Sequence, residues 1–264
     1  MSDPTDPSVR LRREPPPLEP ATVIEREERS PRLVRLTFEG AAFASYPDLE
    51  PGGSIRLLVP GPVSTELVMP TWNGNEFLLP DGTRPILRTF TPLHLDRDGQ
   101  RLELEIVRHP GGAVSAWAEQ AAPGDRVAMS GPGAGYELEP DVLRYLLVGD
   151  ETAMPAIGQL IALISPSIHV DAHLEVVDER AILETPWQEN AHVRWHVREP
   201  GEAPGAQLVE VVRRLEDVPD SMRVWAAGEA ASMQAMRNHL FKALGVPRSR
   251  CSIRGYWKPA TPTE

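Results

Sequence analysis

The chain reads as a small antiparallel β barrel followed by an α/β domain built on a parallel sheet. Two observations predict this. Between residues 30 and 130, short runs alternate apolar and polar residues with Pro, Gly and Asp clusters between them, the pattern of strands with one buried face. From Arg144 onward, short apolar runs alternate with helix-like segments, the pattern of a parallel sheet with crossover helices. A length of 264 residues accommodates two such domains.

In the first half, Val34, Leu36 and Phe38 alternate with Arg35 and Thr37. Ile55 to Val59 follows Pro51-Gly52-Gly53. Leu102, Leu104 and Ile106 alternate with Glu103 and Glu105. Val127 to Met129 follows Pro123-Gly124-Asp125. The Pro-, Gly- and Asn-rich stretch from Gly61 to Arg84 predicts an excursion off the barrel, as a hairpin or a lid. One helix interrupts the strands: Gly111-Gly112 leads into Ala113-Val114-Ser115-Ala116-Trp117-Ala118-Glu119. Two readings of it stand together: a plug for one end of the barrel with Trp117 in the core, and an exposed helix N-terminus suited to a phosphate.

In the second half, the run Tyr145-Leu146-Leu147-Val148 predicts a strand buried on both faces. Gly149-Asp150-Glu151-Thr152 and a helix from Ala153 to Leu163 follow. Further strands are expected at 172–177, 193–197 and 223–227, with helices at 207–215 and 230–244. Ligands of such sheets bind beyond the carboxyl ends of the strands. That edge would carry Asp150-Glu151-Thr152, Asp178-Glu179-Arg180 and Gly228-Glu229. There is no GxGxxG. Asp178 suits a ribose hydroxyl and Arg180 a phosphate, so NADH and NADPH both remain open.

Composition narrows the function classes. The net charge of −11, with no basic stripe, excludes the usual nucleic-acid binder. No apolar run reaches the ~18 residues of a membrane span. Residues 1–20 hold six prolines and mixed charges, read as a flexible tail without a signal-peptide core, and the expected location is the cytoplasm. The single cysteine, Cys251, is read as a small buried hydrophobe; one thiol makes no intrachain disulfide, iron–sulfur cluster or cysteine-based zinc site. His192 and His196 share a strand face without a third ligand, so no protein metal site is expected.

Specific segments carry a resemblance. Arg88-Thr89-Phe90-Thr91 looks like the flavin motif Arg-x-Tyr-Ser/Thr of the ferredoxin reductase superfamily. The segments 109–118, 123–125, 131–133, 149–157 and 225–230, and the closing Gly255-Tyr256-Trp257-Lys258, resemble the siderophore-interacting protein family in order, over about residues 20–260. The resemblance implies a six-stranded antiparallel FAD-binding barrel over 21–140 and an NAD(P)H-binding α/β domain over 141–264. It implies noncovalent FAD, hydride from NADH or NADPH, and a ferric siderophore as electron acceptor.

It also implies roles. Arg88 is expected at the FAD pyrophosphate, with Thr89 beside it in the motif. Phe90 is expected against the isoalloxazine; where the family usually has Tyr, the stacking area survives and the phenol hydrogen bond is lost. Thr91 is placed near N5, which makes Phe90 and Thr91 the expected catalytic pair. His109 is read either as a contact to FAD phosphate or adenine or as a structural strand-end histidine. Gly111, Gly112, Ala113, Val114 and Ser115 should cradle the pyrophosphate. Asp150, Glu151 and Thr152, with Gly228 and Glu229, are expected at the flavin–nicotinamide junction, as helix caps or as contacts to ribose or adenine. Arg254 and Lys258 are candidates for an anionic siderophore, with Trp257 as a wall or flavin cover. Two other functions share parts of this pattern: a general NAD(P)H:flavin or quinone reductase, and a siderophore-binding protein without catalysis.

Overall fold

The computed structural model describes residues 15–61, 66–183 and 187–259. Most of the expected tail, residues 1–14, lies outside the described residues.

The first domain is built from β1 (Glu19–Ser30), β2 (Leu33–Glu39), β3 (Ser54–Val59), β6 (Ile86–Phe90), β7 (Pro92–Asp96), β8 (Arg101–Val107) and β9 (Arg126–Gly133), with β4 (Thr71–Trp72) and β5 (Phe77–Leu78) forming a separate small hairpin. The sheet order is β6-β3-β9-β1-β2-β8-β7, and every pairing is antiparallel. Only Thr91 separates β6 from β7. One extended run thus pairs with β3 by its first half and with β8 by its second, which joins the two ends of the sheet. Counted as one strand, β6–β7 makes the barrel six-stranded. Val34, Leu36, Phe38, Ile55, Leu57, Leu102, Leu104 and Ile106 fill it, the inward halves of alternating strands.

The strand β1 was not evident in the sequence. Its charged run Glu25-Arg26-Glu27-Glu28-Arg29 lacks apolar alternation, because only Ala21 and Val23 of β1 reach the core. It begins at Glu19 and so takes up the last two residues of the stretch read as tail. The excursion at 61–84 carries the β4–β5 hairpin, where Trp72 meets Phe77 edge-on.

The second domain has β10 (Arg144–Asp150), β11 (His169–Val176), β12 (Ala191–Val197), β13 (Met222–Glu229) and β14 (Cys251–Trp257) in the order β12-β11-β10-β13-β14, all parallel. Helix α2 (Met154–Leu163) packs in the core cluster on one face. Helices α3 (Ala206–Arg213) and α4 (Ala230–Arg237) pack on the other. The helix expected through residue 244 continues from α4 as a π-helical segment, Asn238–Ala243. Strand order reverses between β10 and β13, the crevice where sheets of this kind take ligands.

Specific polar contacts tie the domains. Arg32, in the β1–β2 turn, holds Glu151 through two nitrogens at 2.8–3.0 Å. Gln159 of α2 accepts from the Gly52 N–H at 3.0 Å and donates to the Pro92 carbonyl at 2.6 Å. These bonds bring the carboxyl edge of the sheet against the β6–β7 run.

Candidate functional site: the seam between barrel and sheet

On the barrel side, register places Arg88 opposite Leu57 and Phe90 opposite Ile55. Both therefore lie on the core-facing side of β6, with Thr89 on the other. Phe90 is half-buried and packs its ring against the barrel core. Arg88 and Thr89 are exposed. Arg88 makes no ion pair among the described residues; its guanidinium donates to the neighbouring Leu87 carbonyl at 2.9 Å. Thr91, at the break between β6 and β7, is buried, with the phenol of Tyr256 close by.

Helix α1 (Ala113–Gln120) plugs the barrel beside β6 and β8. Trp117 packs on the core, as the plug reading expected. Gly112 is its N-cap and offers no side-chain cap, and the first turn has no acid. The first-turn N–H groups of Ala113, Val114 and Ser115 have no acceptor within the helix. Gly111 has φ +77°, which favours glycine. The Ser115 hydroxyl accepts from the His109 N–H at 2.7 Å, and the His109 ring lies over Gly112, where a Cβ would come within 2.5 Å of Cε1. His109 is exposed, beside the uncapped helix end.

At the sheet edge several carboxylates take backbone N–H groups at turn and helix starts, while α3 begins at Gly205 without a side-chain cap. Asp150 caps the 3-10 turn Glu151–Ala153, accepting from the Thr152 N–H at 2.9 Å and its hydroxyl at 2.5 Å. Asp178 caps the turn Glu179–Ala181 and is held by Arg180 at 3.0 Å; hydrogen bonds from Arg180 pull its carboxyl down to about 2. Glu229 caps α4 through the Ser232 N–H at 2.8 Å. Glu175 accepts the Gly205 N–H before α3 at 2.8 Å, and burial pushes its carboxyl up to about 7. Glu151 is engaged by Arg32 and by the Val177 N–H at 3.2 Å.

At the switch point Asp150, Gly228, Glu229 and Trp257 come together. Asp150 Oδ2 accepts from the Glu229 N–H at 3.0 Å and from the Trp257 indole at 2.7 Å. Burial raises the Asp150 carboxyl, opposed by the bonds from Thr152 and Trp257. Arg254 is half-buried and donates to the Gly135 carbonyl at 3.3 Å, and Lys258 is exposed one residue past β14. Neither makes an ion pair among the described residues. Sequence reasoning missed Tyr256, Arg32 and Gln159. Tyr256 stands inside the closing motif, which was the available signal. Arg32 and Gln159 act across the seam and carry no local signature.

The histidines do not cluster as ligands. His196 hydrogen-bonds His173 at 2.9 Å with the rings stacked, and His192 lies 5.0 Å from His169. Among the described residues no group of His, Cys, Asp and Glu could hold a metal ion. Cys251 is partly buried against the core of the second domain, and burial pushes its thiol up to about 11.

The six-stranded antiparallel barrel set against a five-stranded parallel sheet has the ferredoxin reductase-like fold. Solved ferredoxin reductases share that fold, such as the one acting in carbazole 1,9a-dioxygenase, at TM-score 0.65 and 17% identity over 91% of this chain and 69% of that one. Two family models match in order: the siderophore-interacting FAD-binding domain over residues 22–136 and the siderophore-interacting protein over 142–260. The chain belongs to the siderophore-interacting protein family, and its first domain is that family's FAD-binding domain. It is 30% identical to an uncharacterized protein, Rv2895c, of Mycobacterium tuberculosis, over 92% of this chain and 90% of the relative. It is 26% identical to the ferric vibriobactin reductase ViuB of Vibrio cholerae (89% and 87% covered) and 26% identical to the NADPH-dependent ferric-chelate reductase of Escherichia coli (89% and 91%). A siderophore utilization protein from T. fusca superposes with TM-score 0.81 at 29% identity, covering 95% of this chain and 96% of that one.

The residues fit FAD. Arg88 and the open first turn of α1 supply donors for a pyrophosphate, and Thr91 with Tyr256 supplies hydroxyls where the domains meet.

Proposed function

We propose that this protein is an NAD(P)H-dependent flavin reductase that reduces ferric siderophore and releases ferrous iron in the cytoplasm. The observation that carries the reading is that the FAD-binding domain holds both an Arg88 without an ion pair among the described residues and an uncapped α1. Ferric-reductase relatives that align over most of the chain support the reaction class. FAD, when bound, supplies the conversion of a two-electron hydride into single electrons for ferric iron.

The protein's own residues do the rest. Arg88 and the N–H groups of Ala113, Val114 and Ser115 neutralise the pyrophosphate, and His109 covers Gly112 at its edge. Phe90 presents the ring face that remains outside the core, and the Thr91 hydroxyl holds the reacting edge of the cofactor. Asp178 holds a ribose diol of the nicotinamide cofactor, a role its acceptor-only oxygens suit. Arg254 and Lys258, cations without ion-pair partners among the described residues, draw an anionic ferric siderophore to the seam, where Trp257 walls the site. The iron keeps its siderophore ligands.

The test is a visible spectrum followed anaerobically. Purified protein, reconstituted with FAD, should bleach on adding NADPH or NADH and recover on adding ferric siderophore, while a ferrous chelator colours. A flavin that bleaches and ignores the siderophore would leave a general flavin or quinone reductase. A protein that takes no FAD would end the enzyme reading in favour of a siderophore-binding protein.

A further inference from the structure

The last strand ends in a bulge. In its ladder with β13, Gly228 pairs with Gly255 and Glu229 with Trp257, which leaves Tyr256 as the extra residue. A bulge breaks strict alternation and re-aims side chains. Tyr256 and Trp257, neighbours in the chain, reach partners in different domains. The Tyr256 hydroxyl meets Thr91 at the β6–β7 break, and the Trp257 indole N–H donates to Asp150 Oδ2 at 2.7 Å.

Asp150 divides its oxygens between two tasks. Oδ1 takes both bonds from Thr152 and caps the short helix after β10. Oδ2 takes none of those bonds; it accepts from the Glu229 N–H of β13 and the Trp257 indole of β14. A cap needs only the first oxygen. An ionised carboxylate accepts at both oxygens and donates at neither, so convergent donors suit it. Gly228 makes the approach possible: a Cβ there would stand 2.6 Å from Oδ2.

We propose that Asp150 is a positioning residue, which anchors Trp257 beyond the bulge, thereby holds Tyr256 on Thr91, and so makes the end of β14 a fixed wall over the flavin motif. The inference rests on the flavin reading for what the wall covers, and on the hydrogen bonds alone for the anchor. A wall so fixed limits access of solvent and acceptor to the flavin from the sheet side.

Hydrogen exchange on the apoprotein tests the anchor without any cofactor. Asp150→Asn replaces one acceptor oxygen with a donor, and Trp257→Phe removes the indole N–H while keeping a ring. Thr152→Val removes a bond to Oδ1 only. Amides of 251–257 should exchange about tenfold faster in Asp150→Asn and in Trp257→Phe, as loss of a bond to a charged group implies. Thr152→Val should lower the melting temperature and leave that segment at the wild-type rate. In the FAD-loaded proteins, iodide should quench flavin fluorescence several-fold more in the first two variants than in wild type or Thr152→Val. Should Asp150→Asn fail to fold, Trp257→Phe decides alone. Wild-type exchange of 251–257 in Trp257→Phe, or equal loosening in Thr152→Val, would overturn the anchor. Faster exchange with unchanged iodide quenching would overturn the wall. Failure of the wild type to bind FAD would end the flavin reading and the wall, and the exchange rates would still judge the anchor.

Discussion

Arg88 is available because its strand neighbours are not acids. Across β3 it faces Leu57, and no carboxylate pairs with it among the described residues. A guanidinium on phosphate makes charge-assisted bonds of about 1.5–3 kcal/mol each. Arg88→Ala should therefore raise the FAD dissociation constant about ten- to a hundredfold in a fluorescence titration. An unchanged constant would remove Arg88 from the pyrophosphate. Glu175 and His173 make a second prediction at this scale, about pH. Burial first, and then nearby acids, lift Glu175 to about 7 from an ordinary 4.5, against the Gly205 N–H and Arg198. The folded chain therefore holds that proton more tightly than the unfolded chain, and the stabilisation fades as pH rises from about 4.5 through 7. His173 runs the other way: burial, His196 and Arg194 lower it to about 4 from 6.5, so its stabilisation is present above 6.5 and is lost as pH falls toward 4. The two windows overlap with opposite sign, so the contributions nearly cancel between about pH 4.5 and 6.5. Glu175→Gln removes the opposing slope, so its melting temperature, followed by calorimetry, should rise with pH across that window more steeply than in wild type; an unaltered slope would assign the dependence to other groups.

At the scale of elements, two glycines test two different constraints. Gly111 has φ +77° with open space around its Cβ position, so only backbone strain opposes a side chain. Gly111→Ala should cost about 1 kcal/mol in urea unfolding. Gly228 combines φ +153° with a Cβ that would lie 2.6 Å from the anchoring carboxylate. Gly228→Ala should cost clearly more than Gly111→Ala and should displace Trp257 from Asp150. Equal costs would mean that the Asp150 contact yields easily. The elements themselves were legible where one face is buried: β2, β8, β10 and α2 all announce themselves by period or by an apolar run. The strand β1 was not, because cross-strand pairing with β2 and β9, rather than its own apolar pattern, holds its charged length in place.

For the whole molecule, the question is how firmly the two domains act as one. Each has its own core, with Leu33 of β2 and Val107 of β8 packed into that of the second domain, and polar ties across the seam include Arg32 on Glu151 and Gln159 on Gly52 and Pro92. Glu151 is buried and Arg32 largely so, which places the bond well above a surface ion pair. Arg32→Ala should destabilise by about 2 kcal/mol, because Glu151 would be left buried with the Val177 N–H as its remaining partner. Loss of the tie should also separate the thermal transitions of the domains. A single unshifted transition would mean that apolar packing across the seam suffices.

The sequence by itself determined what depends on period and local chemistry. Alternation specified the barrel strands, a doubly buried run specified the parallel sheet, and Gly111-Gly112 before small residues specified an open helix end. The motif around Arg88 and the closing Gly-Tyr-Trp were legible because these residues are read within a few positions of one another. Only the tertiary structure decided how the acids are used. Asp150, Glu151, Asp178 and Glu229 look alike in sequence as strand-end carboxylates. In the fold one anchors the last strand, one ties the domains, one pairs with Arg180, and one caps α4. A carboxylate's role is set by which donors reach it, and those donors arrive from strands and turns as many as 119 residues away.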